Sequence, residues 1–99
     1  MSDEIDHIAI NVADIAAAVA WYKTSFSCEV ESESATAAVL RFANVRLSLV
    51  LPNREQPHVA VEKSDASTYG ELRDRADGRR STYVSDPTGN LVELLEPRK

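Results

Sequence analysis

Cysteine occurs once in the 99 residues, at Cys28, so the chain cannot close a disulfide on itself and a reducing compartment is expected. With no second cysteine and no third histidine to activate it, Cys28 reads as a packing residue. Basic clusters are also missing. Eleven lysines and arginines against sixteen acidic residues leave a net charge of −5, which speaks against a nucleic-acid footprint. The nearest thing to a basic patch is the pair Arg79–Arg80, which reads as a solvated surface feature. No apolar run is long enough to span a bilayer, and Ser2-Asp3-Glu4 is acidic where a signal peptide would be basic. The expectation is a soluble, cytoplasmic protein with no membrane or nucleic-acid partner. Histidine is scarce too, with His7 and His58 the only two.

What is present is an ordinary globular balance, 43% hydrophobic and 27% charged, with room for one domain over residues 1–99. Residues 5–12 alternate, Ile8, Ile10 and Val12 on one face and His7, Ala9 and Asn11 on the other, as in a strand packed on one side. Asp14 is placed to cap a helix running to about Phe26, with Ile15, Val19, Tyr22 and Phe26 as its sheet-facing stripe and Trp21 buried at the edge of that stripe. Strands are expected over 28–33, 36–43 and 45–51, with a turn at Ala43-Asn44. The segment 52–57 has proline at both ends and reads as a linker. A second alternating strand, 57–62, leads to a weaker helix opened by Asp65 and running through Tyr69, Leu72 and Ala76 to a stop at Asp77-Gly78. Strands over 80–85 and 90–96 flank the turn Asp86-Pro87-Thr88-Gly89.

The chain repeats itself. A shift of 51 lays His7 on His58, Ala9 on Ala60 and Asp14 on Asp65, with Ile8 on Val59 and Ile10 on Val61. A shift of 45 lays residues 46–52 on 91–97, which puts Ser48 on Glu93. Two related modules follow, about 4–52 and about 57–97, the second shortened and short of one strand. A lone histidine on a strand face is usually a hydrogen-bonded structural residue. Two at the same point of a repeat are a different matter, because pseudo-twofold symmetry brings the imidazoles towards each other. Glu93 shares a face with Leu91 and Leu95, and a charge on such a surface is costly unless it is paired or binds a metal. Glu96 points the other way and reads as surface.

The order Asp-His-Ile-Ala-Ile, a helix with Ala-Trp-Tyr, Pro-His-Val-Ala-Val and Asp-Pro-Thr-Gly-Asn-Leu-Val-Glu-Leu resembles the vicinal-oxygen-chelate superfamily over roughly residues 4–97. This group includes the glyoxalases, bleomycin-resistance proteins and extradiol dioxygenases. The resemblance implies an α+β fold of paired βαβββ modules, a glyoxalase-like curved mixed sheet, and metal ligands at His7, His58 and Glu93. It also places Tyr83 where members direct a side chain into the cavity, with Ser81 on the same face. Departures are visible. Glyoxalase I-type members carry a fourth, carboxylate ligand where this chain has Ser48. Fosfomycin-resistance members carry threonine where it has Ala9, and the additional histidines of extradiol dioxygenases have no counterpart.

Two histidines and a carboxylate leave coordination positions open and suit divalent Fe, Mn, Zn, Ni or Co. The leading expectation is a metal-dependent lyase or isomerase acting on a small substrate with vicinal oxygens. Tyr83 and Glu62 are the candidate general bases, although Glu62 reads equally as a solvated strand-end charge. Ser48, Arg46, Ser81 and Asn11 are candidate substrate contacts, with Arg46 suited to a carboxylate or to a surface salt bridge. The alternatives are a metal-free binding protein of the bleomycin-resistance type and an Fe(II) dioxygenase. An exposed sheet edge in the shortened module leads us to expect a homodimer.

Overall fold

The computed structural model describes residues 2–75 and 77–97. Among them are eight strands, one α-helix and one 3-10 turn. By contacts the chain forms two compact units. The first spans His7–Pro57, and the second joins the described residues up to Asp6 with those from His58 onward.

The first unit follows β1 (Glu4–Asn11, from His7 on) with helix α1 (Ile15–Ser25) and strands β2 (Glu29–Glu33), β3 (Ala37–Arg41) and β4 (Arg46–Val50). Its strands lie in the order β2-β3-β4-β1, with β1 and β4 parallel and the other pairs antiparallel. Asp14 caps α1 as expected, accepting from the Ala17 backbone N–H at 3.0 Å. The helix lays Ile15 and Val19 over Leu40, Leu49, Ala38 and Cys28, with Tyr22, Phe42 and Leu47 around them. Cys28 therefore packs, as its isolation in the sequence suggested. Trp21 does not: it is 58% exposed, edge-on to Tyr22 and Phe26, and Phe26 is itself 50% exposed. At 3.6 residues per turn Trp21 sits about 120° round the helix from Ile15, well away from the buried stripe.

The second unit contains β5 (His58–Glu62), the 3-10 turn (Ala66–Thr68), β6 (Arg73–Asp74), β7 (Arg80–Ser85) and β8 (Leu91–Leu95). The order β5-β8-β7-β6, with β5 and β8 parallel, repeats the plan of the first unit. Even the register agrees. Ala9 lies opposite Ser48, and Ala60 opposite Glu93, the pairs that the two sequence shifts superpose. The fold is thus α+β with paired βαβββ modules, the second shortened.

The shortening differs in detail from the sequence reading. The strand thought missing survives as the two residues of β6. The helix expected from Asp65 through Leu72 is only the 3-10 turn, with no side-chain cap from Asp65, and Ala76 lies outside the described residues. Gly70 explains part of this. A Cβ there would sit 2.6 Å from Thr82 Oγ1, so glycine lets the chain after the 3-10 turn lie close against Thr82, and its low helix propensity favours a stop there.

Candidate functional site

Alternation along β5, β7 and β8 puts His58, Glu93, Ser81 and Tyr83 on one face of the second unit, with Tyr83 directly opposite Glu93. His58 and Glu93 are buried, their side chains 1% and 6% exposed, and His58 Nε2 lies 3.2 Å from Glu93 Oε1. The other carboxylate oxygen accepts a 2.7 Å hydrogen bond from the hydroxyl of Ser81, itself fully buried. Ser81 Oγ in turn accepts from Arg75 Nε at 2.6 Å, and Arg75 Nη2 donates to the Ser81 carbonyl at 3.1 Å. The Arg75 guanidinium lies 4.9 Å from the Tyr83 ring centroid, and that ring meets His58 edge-on at 5.6 Å. Imidazole, carboxylate, hydroxyl, guanidinium and phenol ring therefore form one closed circuit.

Arg75 escaped the sequence reading because its stretch was taken for helix, which hides the two-residue alternation of Arg73 and Arg75 about Asp74. Arg79 is the second surprise. Expected in solvent, it is 8% exposed, because just before β7 it is clamped by Asp6 Oδ1 at 2.9 Å and the Glu96 carbonyl at 3.1 Å. Glu62 stands at the end of β5, 3.5 Å from Arg79 Nη2. Glu96 pairs with Arg80 at 3.2 Å.

The remaining candidates lie in the first unit. His7 follows Asp6 directly in β1 and is half-buried opposite Arg46, on the face that carries Ser48 and Asn11. Arg46 Nε donates to both oxygens of Glu31, at 2.9 and 3.1 Å. The Asn11 amide donates to the carbonyls of Val50 and Glu55, at 3.3 and 2.9 Å, tying down the end of β1. Ser48 is half-buried between Ala9 and Val39.

The Asp86–Asn90 turn that joins β7 to β8 is also built as the sequence implied. Asp86 accepts from the backbone of Thr88 and Asn90 and from the Asn90 amide, and Gly89 adopts φ 94°. These bonds, that from the Asn90 side chain foremost, hold the Asp86 carboxyl below its ordinary value. Among the described residues no helix is long and apolar enough to cross a membrane.

No family model matches the chain, and no curated protein matches its sequence. Solved structures do match. Methylmalonyl-CoA epimerase from Mycobacterium tuberculosis is 21% identical with a TM-score of 0.76, over 97% of this chain and 89% of that one. A glyoxalase/bleomycin resistance protein/dioxygenase superfamily member from Vibrio splendidus 12B01 is 14% identical with a TM-score of 0.73, over 95% and 98%. A Streptomyces coelicolor methylmalonyl-CoA epimerase variant, in complex with 2-nitronate-propionyl-CoA, is 25% identical with a TM-score of 0.72, over 95% and 94%. The chain has the fold of the vicinal-oxygen-chelate superfamily, to which methylmalonyl-CoA epimerase belongs.

Proposed function

We propose that this protein is a divalent-metal-dependent lyase or isomerase of glyoxalase-like type, acting on a small substrate with vicinal oxygens. The observation that carries the reading is the buried His58–Glu93 pair with its donor atoms 3.2 Å apart. Two atoms bound to one ion at about 2.1 Å each sit roughly 3.0–3.4 Å from one another at octahedral or tetrahedral angles, so the pair fits a shared divalent ion. An imidazole nitrogen and a carboxylate oxygen suit Fe, Mn, Zn, Ni or Co. His7 is the proposed third ligand, on the strength of the repeat that lays it on His58. A metal held there supplies Lewis-acid polarisation of a substrate carbonyl or hydroxyl oxygen.

The chain's own groups do the rest. Ser81 orients the Glu93 carboxylate from behind. Tyr83, edge-on to His58, is the preferred proton-handling group, and Glu62 comes second because it faces Arg79. Ser48 keeps a proposed substrate contact through its repeat relation to Glu93, whereas Arg46 and Asn11 are engaged with Glu31 and with backbone. We propose a cytoplasmic location and a homodimer, the dimer because β6 is so short that it pairs with β7 only at Arg80 and Ser81. Sedimentation equilibrium showing a monomer at working concentration would refute the dimer.

One observation favours a metal-free binding protein instead: both Glu93 oxygens already have protein partners in His58 and Ser81. Metal analysis by mass spectrometry on untagged protein, with His58→Ala and Glu93→Gln alongside, decides between the two. About one equivalent of transition metal in the wild type, lost in both variants, is the expected result. No metal after incubation with Mn(II), Ni(II) and Fe(II) sinks the enzyme reading and leaves the binding protein.

A further inference from the structure

Cations in this acidic chain are usually neutralised. Arg41 pairs with Glu29, Arg46 with Glu31, Arg79 with Asp6, and Arg80 with Glu96. Arg54 and Arg73 are exposed to water, which screens them. Among the described residues, Arg75 alone is an arginine drawn partly out of water whose direct partners are all neutral, the Ser81 hydroxyl and carbonyl and the Tyr83 ring, with the Glu93 carboxylate reaching it only through the Ser81 hydroxyl. A guanidinium cannot shed its proton, so such a position is costly unless an anion completes it.

The way Arg75 is held says where that anion would go. A guanidinium offers its N–H groups along two edges, one of Nε with Nη2 and one of Nη2 with Nη1. Ser81 grips the first edge through its hydroxyl and its carbonyl, and the guanidinium carbon lies over the Tyr83 ring, 4.9 Å from its centroid. The second edge, Nη1 with the remaining Nη2 hydrogen, has two parallel donors spaced for the two oxygens of a carboxylate or phosphate. The hydroxyl that grips Arg75 also donates to Glu93, and the ring beneath it touches His58. An oxyanion on that edge is therefore a neighbour of the His58–Glu93 pair.

We infer that Arg75 is the anion anchor of this site, so that its substrate carries a carboxylate or phosphate group beside the oxygens that react. The inference rests on the reading of His58 and Glu93 as a substrate site, and it deepens that reading from a small oxygenated molecule to an anionic one.

Calorimetric titration of the full chain in the presence of a chelator tests it without the metal, so failure to bind metal and failure to bind an anion are separate results. The probes are malonate, inorganic phosphate and malonamide, the last an uncharged analogue of malonate. The wild type should bind at least one of the two anions, and more tightly than malonamide. Arg75→Met should weaken that binding about 10- to 100-fold, the worth of a charge-assisted pair of hydrogen bonds. Arg75→Lys should recover part of the loss, and Arg73→Met, altering the exposed neighbour, should leave affinity unchanged. Tighter malonate than phosphate assigns a carboxylate substrate, and the reverse order a phosphate. Equal affinity in Arg75→Met and wild type, with both proteins giving dispersed amide NMR spectra, overturns the inference. So does a wild type that binds neither anion, or binds malonamide as tightly as malonate.

Discussion

The two units share a strand plan and a register, yet they bury opposite chemistry. In the first, α1 covers one face of the sheet and the core is aliphatic, with Leu40 and Leu49 fully buried. In the second, the corresponding face has only the 3-10 turn against it, and Val59, Val61, Val84 and Val92 stay half-buried. Burial is greatest on the other face, around His58, Ser81, Arg79 and Glu93. Position by position, Ala37, Val39 and Ser48 of the first unit correspond to Ser81, Tyr83 and Glu93 of the second. A strand framework of this kind is indifferent to what its inner face carries, because backbone pairing is the same for either. What changes is the rule of repair. An aliphatic core loses stability in proportion to the volume removed, whereas a buried polar circuit depends on every member being satisfied.

That contrast can be broken by substitution. His58→Ala removes the imidazole partner of a buried carboxylate and should cost about 3–5 kcal/mol of unfolding free energy in urea titrations. Replacing His58→Leu, Ser81→Ala and Glu93→Leu together should recover part of that loss, since the buried carboxylate is then gone along with its partners and only the half-buried Arg75 loses a hydrogen bond. If the triple variant is less stable than His58→Ala, the second unit is held by its polar circuit in a way that apolar packing cannot replace. Leu40→Ala in the first unit should cost about 3 kcal/mol and should have no comparable rescue by removing its neighbours.

The smallest expected effect separates the two turns. Phe42 N–H bonds the Val45 carbonyl in the β3–β4 turn, a link without a titratable group, whereas the β7–β8 turn is organised by Asp86. Because the folded Asp86 carboxyl titrates below the unfolded one, its contribution is complete above the ordinary carboxylate value and vanishes as pH falls through the lowered one. Asn90→Ala should move the Asp86 carboxyl midpoint upward in NMR titrations and leave amide exchange at the β3–β4 turn unchanged. An unmoved midpoint would mean that the Asn90 side chain is not what lowers it.

The legible parts of the chain were those where local chemistry and period agree. Asp14 capping α1, the alternation of β1 and β5, and the Asp86–Gly89 turn all depend on residues within a few positions of one another. The register shared by Ala9–Ser48 and Ala60–Glu93 was legible through the repeat, which carries long-range pairing in a form that sequence can show. Trp21, Arg75 and Arg79 were not legible. Whether an aromatic on a short helix is covered, or an arginine clamped, depends on which distant groups arrive beside it. Asp6 reaches Arg79 across 73 positions of chain, and nothing local announces that.

By itself the sequence determined two modules, their element order, the residue types able to bind a metal, and the points at which the halves correspond. It could do so because hydrophobic period, caps and turns are short-range properties. Only the tertiary structure decided that the second module keeps a vestigial β6 in place of a helical turn, that Ser81 stands behind Glu93 instead of in the open, and that Arg75 presents a fixed edge without a carboxylate partner. Those outcomes come from side chains on separate strands competing for the same buried space and hydrogen bonds, a competition settled only when the strands pair.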